Sequence, residues 1–238
     1  MVTVLHLRQS AGAGGGADMV LRDQLRGLAG RDSLALAIAY LHKPGHDVSA
    51  LTAPLADAGL SVHCLAGSAW ADRGQVKALS RLIRETGTSV LHSHDPKSDV
   101  LAWWLRRRHP GLKLVATLHG WTARGWKGRL YEAIDKRILK SFDVTLAVSS
   151  ATAARAARGG PRNSRLLANA IDADFWSAGE DSWVAPAGRL PVIFVGRMSA
   201  EKNPLGALEV AALCPALQVT LVGDGPLLDD VREQVAKR

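Results

Sequence analysis

Short apolar runs alternate along the chain with amphipathic stretches, and this alternation predicts the secondary structure. The apolar runs are β-branched and Leu-rich without strict alternation, which is typical of strands buried on both faces. We predict such strands at 2–7, 33–40, 60–65, 89–93, 113–118, 143–148 and 165–168, and two further strands at 190–195 and 217–222. Helical spacing predicts helices at 17–29, 48–58, 73–86, 96–108, 127–141 and 150–158, and two more from Pro204 and Pro226. Strands alternating with helices indicate an α/β fold with doubly wound parallel sheets.

A segment rich in small residues, Gly and Pro interrupts the alternation and predicts a boundary between two domains. We expect a first domain over 1–176, a linker over 177–189 and the start of a second domain over 190–238. Two parallel strands cannot cover both of their faces, so we expect the second domain to be incomplete. Doubly wound sheets bind ligands at the carboxyl ends of their strands, and functional residues are therefore sought there.

The composition excludes several classes of protein. With 47% hydrophobic and 22% charged residues, the chain is neither disordered nor collagen-like. Its two cysteines, Cys64 and Cys214, lie far apart in apolar surroundings, which predicts buried free thiols in a reducing compartment. The first residues do not resemble a signal peptide, and no apolar run is long enough to span a membrane. These features predict a cytoplasmic protein.

A glycine-rich loop between the first strand and the first helix is the first candidate site. Gly14, Gly15 and Gly16 would let a ligand approach the backbone closely, and the helix N-terminus that follows suits a phosphate or a sugar hydroxyl. Gly12, Gly14 and Ala17 also fit a dinucleotide-binding spacing. However, the second strand ends Tyr40-Leu-His-Lys without the carboxylate that NAD requires. A loop that serves only a tight turn is the third interpretation.

Histidines at the ends of two strands are the second candidate site. His92-Ser-His-Asp-Pro-Lys97 closes one strand, and Asp95-Pro96 within it is a typical helix start. His92 and His94 point to the same side and could form half of a metal site, with His119 as the third ligand. His119, followed by Gly120, could instead share a proton or bind a hydroxyl group, or be a satisfied buried histidine.

Two loops of the second domain suit a diphosphate. Arg197 directly follows a strand, and Lys202 precedes Asn203-Pro204, where a helix begins. Two cations and a helix N-terminus would thus meet at one point. After the next strand, Gly223-Asp-Gly225 allows either close approach of a ligand or a tight turn.

Taken in order, these segments resemble the motifs of retaining glycosyltransferases of family 4, which have the GT-B fold. The resemblance is carried by Gly14-Gly-Gly-Ala-Asp18, Leu91-His-Ser-His-Asp95, Thr117-Leu-His-Gly120, Asn169-Ala-Ile-Asp-Ala-Asp-Phe175, Val195–Asn203 and Val222–Leu227. It implies two Rossmann-like domains, the first for the acceptor and the second for a nucleotide-sugar donor. Ala170 departs from the Gly that the family often has at this position.

The resemblance also implies roles for single residues. His119 would lie beside the transferred sugar as the catalytic residue. The implied donor-binding residues are Gly15, Gly16, Arg197, Lys202, Gly223, Asp224 and Gly225, and the implied acceptor-side residues are Gly14, His94, Asp95 and Lys97. The family's later pair of acidic residues, seven apart, lies beyond Arg238, so the chain is expected to hold only part of a donor site.

The implied reaction moves a hexose from a nucleotide-diphosphate sugar to a glycan or lipid-linked acceptor, with retention and without a metal. It would serve the synthesis of cell-envelope polysaccharides. Two other functions stay open: an NAD-dependent oxidoreductase, and a non-catalytic protein that binds a sugar nucleotide or a polyanion. Nucleic acid is disfavoured as a partner because the basic residues form no known nucleic-acid-binding motif.

The excess positive charge concentrates in one stretch. The chain has a net charge of +8, and residues 103–140 hold ten Lys and Arg against two acidic residues. A helix there would carry an apolar stripe of Trp126, Leu130, Ile134 and Ile138, beside a basic face of Arg129, Lys136, Arg137 and Lys140. Arg106, Arg107 and Arg108 and the nearby Trp103, Trp104 and Trp121 add charge and amphipathic rings. Either the stripe packs on the core, or the face docks peripherally on the inner, anionic surface of the membrane.

Overall fold

The computed structural model describes the chain except for residues 11–14, 69–71, 122–124, 159, 162, 172, 174–187 and 238. The chain forms two compact units, Met1–Trp176 (unit 1) and Ser177–Arg238 (unit 2). The expected linker, 177–189, lies outside the described residues apart from its last two. Each unit contains a parallel sheet with helices between the strands, and the predicted α/β class is therefore confirmed.

Seven parallel strands form the sheet of unit 1. They are β1 Val2–Gln9, β2 Leu34–His42, β3 Ser61–Ala66, β4 Val90–Ser93, β5 Lys113–Leu118, β6 Val144–Ala147 and β7 Ser164–Leu166. The order across the sheet is β3-β2-β1-β4-β5-β6-β7. Strands are added in one direction from β1 to β3 and in the other from β4 to β7, so the switch point where doubly wound sheets open a crevice for a ligand lies between β1 and β4.

Six helices connect these strands. They are α1 Gly16–Leu28, α2 Ser49–Asp57, α3 Arg73–Thr86, α4 Pro96–Arg106, α5 Gly125–Leu139 and α6 Ser150–Ala157. The predicted start of α4 is confirmed: the Asp95 side chain accepts a hydrogen bond from the Ser98 backbone N–H at 3.0 Å, and the Ser98 hydroxyl contacts the Asp95 N–H at 3.1 Å. This capping box fixes the turn that leads from β4 into the helix.

Apolar side chains cover both faces of the sheet. Leu21 and Leu25 of α1 and Leu51 and Leu55 of α2 form one core with Ile38 and Tyr40. The other core joins α3, α4 and α5 to the central strands through residues such as Leu79, Leu101, Leu139, Leu5, Leu91 and Leu114. Each fully buried side chain of this size contributes roughly 1.5–3 kcal/mol, so the central strands are firmly held and their carboxyl ends have fixed positions.

Unit 2 is smaller and only partly covered. Its strands, β8 Leu190–Val195 and β9 Leu217–Val222, pair in parallel, and its helices are α7 Pro204–Leu213 and α8 Leu228–Ala236. A core of Met198, Leu208 and Val231 packs on one face of the strand pair. Ile193 and Val195 on β8 are 66% and 76% exposed. The described helices cover one face of this strand pair, as expected for a unit with only two strands.

Both cysteines are free, but the prediction that they are buried is wrong. Cys64 and Cys214 are exposed. Cys64 lies on β3, which has a neighbouring strand on one side only, and Cys214 follows the last residue of α7. Among the described helices, none is both long and apolar enough to cross a membrane.

Candidate functional site

Four histidines from adjacent strands form an array in unit 1 that runs towards the carboxyl end of the sheet. His6 lies on β1 opposite His92 on β4, His94 directly follows β4, and His119 directly follows β5. The ring centroids are 4.8 Å apart for His6 and His92, 4.3 Å for His92 and His94, and 5.8 Å for His94 and His119. The strand order β1-β4-β5 brings together residues that are far apart in the sequence.

Hydrogen bonds order the array but leave two nitrogen atoms unused. His6 Nδ1 and His94 Nε2 share a hydrogen bond of 3.0 Å, and His92 Nε2 shares one of 2.8 Å with the Thr117 hydroxyl. His94 Nδ1 and His119 Nε2 are buried, and neither has a partner among the described residues. Buried polar atoms are nearly always paired, so these two positions mark where a ligand or a water molecule would bind.

Burial keeps the array uncharged at neutral pH. It lowers the pKa of His6 and of His119 to about 4, and for His119 the nearby Arg8 guanidinium adds to the effect. The pKa values of His92 and His94 lie well below 6.5, again because of burial first and the neighbouring imidazoles second. The four imidazoles therefore act as neutral hydrogen-bonding groups rather than as cations.

The third imidazole beside His92 and His94 is His6 and not His119. One nitrogen from each of His6, His92 and His94 falls within 4.8 Å of the others. The planes of the His6 and His94 rings are inclined by 21° and those of the His92 and His94 rings by 27°, which is the arrangement of stacked rings. His6 and His94 also hydrogen-bond to each other. The geometry favours a hydrogen-bonded array, and the expectation of a metal-free reaction stays a prediction.

Asp18 ties the glycine loop to the histidine array. Its carboxylate accepts hydrogen bonds from the Gly15 N–H at 2.8 Å and from Arg8 Nε at 2.8 Å. Arg8 Nη1 in turn donates to the backbone carbonyl of His94 at 2.8 Å. The start of α1 and the ends of β1 and β4 are thus held as one body. Gly14 lies outside the described residues.

Nothing in the described structure requires glycine at the start of α1. A Cβ atom on Gly16 would meet no atom within 4 Å, and one on Gly15 would meet only Asp18, at 3.9 Å. Neither backbone adopts a positive φ. Within the described part of the chain, no atom outside the adjoining backbone lies closer than 3.9 Å to these Cβ positions, which leaves room for a ligand to approach the first N–H groups.

Asp95 and Lys97 are two of the expected acceptor-side residues. The first forms hydrogen bonds within unit 1, and the second is buried there. Both Asp95 oxygens are engaged, one with Ser98 N–H and the other with Gln9 N–H at 2.7 Å. Lys97 is 4% exposed, and burial lowers its pKa against the opposing effect of Asp95 and Asp72. Asp95 therefore helps to hold β1, β4 and α4 together, and its role on the acceptor side stays a prediction.

The segment after His119 is anchored by a buried acid. Gly120 adopts a φ of 107°, and Trp121 donates its indole N–H to Asp135 Oδ2 at 2.7 Å. Burial raises the pKa of Asp135 and, more strongly, that of Asp99 beside it. A protonated Asp99 can donate to Asp135 Oδ1, which has no other partner among the described residues. This pair fixes Trp121 and, through it, the position of His119.

Sequence reasoning missed several members of this site. It gave no role to His6, Arg8, Asp99 or Asp135, and named Asp18 only within the glycine motif. The available signals were a histidine inside an apolar strand and two carboxylates on helix faces that pack on the core. To use them, the strand order and the packing of α4 on α5 had to be known.

The two loops of unit 2 place the expected donor residues around the start of α7. Arg197 and Lys202 are exposed, and neither forms an ion pair with a described residue. Asn203 has a φ of 54° and caps the helix through its side chain, which accepts from Gly206 N–H at 3.3 Å. Two uncompensated cations beside a capped helix N-terminus can bind an anion.

Gly223 and Gly225 are required by the packing of one loop on another. Their φ values are 150° and 153°. A Cβ atom on Gly225 would lie 2.5 Å from the Met198 carbonyl oxygen, and one on Gly223 would overlap the carbonyl oxygen of Gly196. Between them, the Asp224 carbonyl accepts from Met198 N–H at 2.9 Å. The close approach that these glycines allow is therefore to the loop of Arg197.

Comparison with known proteins identifies the family and the fold of the chain. The sequence model described as Glycosyltransferase Family 4 matches residues 14–175. HepE of Anabaena, solved in complex with UDP and glucose, has a TM-score of 0.80 at 17% identity, over 100% of this chain and 66% of that one. A glycosyltransferase of Rickettsia africae has a TM-score of 0.69 at 14% identity, over 99% of this chain and 65% of that one.

A third solved structure, the lipopolysaccharide outer core galactosyltransferase WaaB in its apo form, has a TM-score of 0.68 at 12% identity. The match covers 99% of this chain and 65% of WaaB. No curated protein sequence matches the chain significantly. Identities this low show the fold, and the chain spans about two thirds of the length of these structures. The Rossmann-like fold expected from the motifs is confirmed.

Proposed function

Because this chain belongs to glycosyltransferase family 4, we propose that it takes part in the transfer of a sugar from a nucleotide-diphosphate sugar to an acceptor. One observation carries the proposal: each unit has polar groups without a protein partner among the described residues, and these groups suit either the sugar or the diphosphate. Unit 1 offers a neutral histidine beside an open helix N-terminus, and unit 2 offers two uncompensated cations. HepE, which shares the fold, has been solved with UDP and with UDP-glucose.

Arg197 and Lys202 are proposed to bind the donor diphosphate. When the bond between sugar and phosphate breaks, negative charge grows on the leaving diphosphate. Two cations at the start of α7 would stabilise that charge, as a metal ion does in other enzymes. Neither forms an ion pair with a described residue, which supports this role because neither must give up such a carboxylate to bind phosphate.

His119 is proposed to contact the transferred sugar. Its pKa of about 4 leaves it neutral at physiological pH, so it can accept a hydrogen bond from a sugar hydroxyl or donate one. Its Nε2 has no other partner among the described residues. A neutral imidazole at this position orients the sugar without attracting the departing diphosphate.

Gly15 and Gly16 are proposed to lie against the donor phosphates or the acceptor. The open space at their Cβ positions would admit a ligand to the first N–H groups of α1. The nearest carboxylates, Asp18 and Asp95, already hold structural hydrogen bonds. Retention is proposed from the family resemblance alone. Because both carboxylates hold structural hydrogen bonds, we propose that it proceeds by attack of the acceptor on the face that the diphosphate leaves, without a covalent intermediate.

A glycan or lipid-linked acceptor is proposed to reach unit 1 from a membrane surface at α5. Trp126, Leu130 and Ile134 are 68%, 50% and 44% exposed, so this part of the apolar stripe does not pack on the core. Arg129, Arg137 and Lys140 beside it are also exposed. Apolar side chains flanked by cations suit an anionic lipid surface. Ile138 packs on the core, and Lys136 pairs with Glu132.

Vesicle sedimentation tests this docking. The Leu130→Ser/Ile134→Ser variant should lose binding to vesicles that contain phosphatidylglycerol, whereas Val192→Ser/Ile193→Ser, exposed on unit 2, should not. Salt should weaken the binding of the unchanged protein, because each cation near the surface contributes about 1 kcal/mol. If both variants bind the vesicles equally, α5 is not the part of the protein that contacts the membrane.

The donor assignment is tested by calorimetric titration with UDP, UDP-glucose and NAD⁺. We expect UDP to bind and NAD⁺ not to bind, which separates this function from that of an oxidoreductase. Arg197→Ala should weaken UDP binding by about 1.5–3 kcal/mol, because a charge-assisted hydrogen bond is lost. Arg189→Ala, an exposed change in the same unit, is the control. NAD⁺ binding, or unchanged affinity in Arg197→Ala, would overturn the assignment.

A further inference from the structure

A basic groove lies between α3 and α4 of unit 1, and the proposed sugar transfer does not use it. Its volume is about 600 Å³. The polar and aromatic part of its lining consists of Arg73, Lys77, Ser80, Arg84, Trp104 and Arg108. Four of these six side chains are cations and none is an acid, so the groove has one sign of charge throughout.

The cations of α3 form a row. Arg73, Lys77 and Arg84 are four and seven residues apart, which places them on one face of the helix. The row extends for roughly 16 Å at 1.5 Å per residue. Across the groove, the Arg108 guanidinium lies 4.6 Å from the centroid of the Trp104 ring, and this stacking holds it in place.

No carboxylate compensates these charges in the described part of the chain. On the same helix Arg81 pairs with Glu85, and at the end of α4 Arg106 pairs with Asp143. The cations of the groove form no such pair. Like charges held near one another repel, and an anion bound among them would remove that repulsion.

The floor of the groove shows the effect of this charge. His109 Nε2 shares a hydrogen bond of 2.8 Å with the Ser80 hydroxyl, and Arg84 Nη1 donates to the same hydroxyl at 3.2 Å. The pKa of His109 is lowered by burial and then by Arg84 and Arg108. The pKa of His109 therefore depends on the electrostatic potential in the groove, and a bound anion would raise it.

We propose that this groove binds phosphate groups arranged in a row. Arginine forks and a lysine ammonium make charge-assisted hydrogen bonds to phosphate oxygens, and the length of the row suits two or more groups. Such groups occur on soluble polyphosphorylated ligands and on the headgroups of an anionic membrane. The site is separate from the histidine array and from the exposed stripe of α5, and its occupation does not depend on sugar transfer.

The test compares two variants of equal net charge. Lys77→Gln/Arg84→Gln removes two cations of the groove, and Arg31→Gln/Arg81→Gln removes two exposed cations outside it. Tripolyphosphate is titrated at constant ionic strength, with the His109 ring followed by NMR. The unchanged protein and the control should bind and show a raised His109 pKa, and the groove variant should bind at least about tenfold more weakly.

A second arm identifies the source of the phosphate. The same three proteins are sedimented with phosphatidylcholine vesicles that contain or lack phosphatidylglycerol. Groove-dependent binding to tripolyphosphate indicates a soluble ligand, and groove-dependent binding to anionic vesicles alone indicates headgroups; both results support the site. If the groove variant binds both probes as the unchanged protein does, or if the unchanged protein binds neither, the proposal is wrong.

Discussion

The histidine array of unit 1 and the cation loop of unit 2 hold their polar groups in opposite environments. His6 on β1 and His94, directly after β4, are 6% and 2% exposed, in a sheet with an apolar core on both faces. Arg197 and Lys202 are exposed on a two-stranded unit whose core has three fully buried apolar residues. Burial keeps the histidines uncharged at neutral pH, whereas the two basic side chains of unit 2 lie in contact with solvent.

The glycines of the two units differ in a parallel way. Gly15 and Gly16 in unit 1 have open space around them, whereas Gly223 and Gly225 in unit 2 are pressed against a neighbouring loop. A glycine that the fold does not need is better evidence for a ligand than one that the fold requires. The packing explains why glycine is needed at Gly223 and Gly225, and it gives no such reason at Gly15 and Gly16.

Truncating an apolar strand residue to alanine should lower the free energy of unfolding much more in unit 1 than in unit 2. Leu91→Ala, at a fully buried position on β4, should lower the free energy of unfolding by about 2–5 kcal/mol. Ile193→Ala, at a position 66% exposed on β8, should lower it by less than ~1 kcal/mol. Hydrogen exchange read separately for each unit measures both values. Similar losses would mean that unit 2 is covered as well as unit 1.

The buried histidines should make unit 1 sensitive to acid. The pKa of His6 is about 4 in the folded chain and 6.5 when exposed, so the unfolded state binds more protons between these values. Stability is therefore expected to fall as the pH drops from 6.5 towards 4, by on the order of 3 kcal/mol from His6 alone.

The His6→Gln variant should reduce this acid dependence, and His46→Gln, in an exposed loop, should leave it unchanged. The measurement is urea denaturation at a series of pH values between 4 and 7. An unaltered slope in His6→Gln would show that the array is already hydrated or charged in the folded protein.

Alanine substitutions should distinguish a glycine that the fold requires from a glycine that ligand binding requires. Gly225→Ala should destabilise unit 2 by about 1–3 kcal/mol, because its φ is positive and its Cβ would strike the Met198 carbonyl. Gly16→Ala should keep or raise stability, by about 0.5–1 kcal/mol, since alanine favours the helix. It should nevertheless weaken ligand binding at α1. If Gly16→Ala loses stability instead, the fold itself requires this glycine.

The periodicity of the sequence predicted the strands and helices closely because buried strands and amphipathic helices leave a local pattern. The site was harder to predict. His119, Arg197 and Lys202 could be named because each follows a strand or precedes a helix start. His6 could not, since only the strand order places β1 beside β4. The roles of Asp95 and Gly225 were also not readable, because they depend on which backbone lies within a few ångströms.

The basic groove and the exposed cysteines show the same limit. Arg73 and Arg108 are 35 positions apart, and only the packing of α3 on α4 makes them neighbours. Cys64 was expected to be buried because its sequence neighbours are apolar, but an edge strand exposes part of its surface. Local patterns predict elements, and the packing of those elements decides which side chains meet.

One measurement tests the central contrast between the two units: steady-state sugar transfer from UDP-glucose, with turnover and donor KM determined for His119→Ala and Arg197→Ala. The account predicts that His119→Ala lowers kcat by about 10²-fold or more with little change in KM. Arg197→Ala should raise the donor KM by roughly tenfold or more. If the two variants shift kcat and KM in the same proportion, or if His119→Ala retains full turnover, the division of work between buried histidine and exposed cations is contradicted.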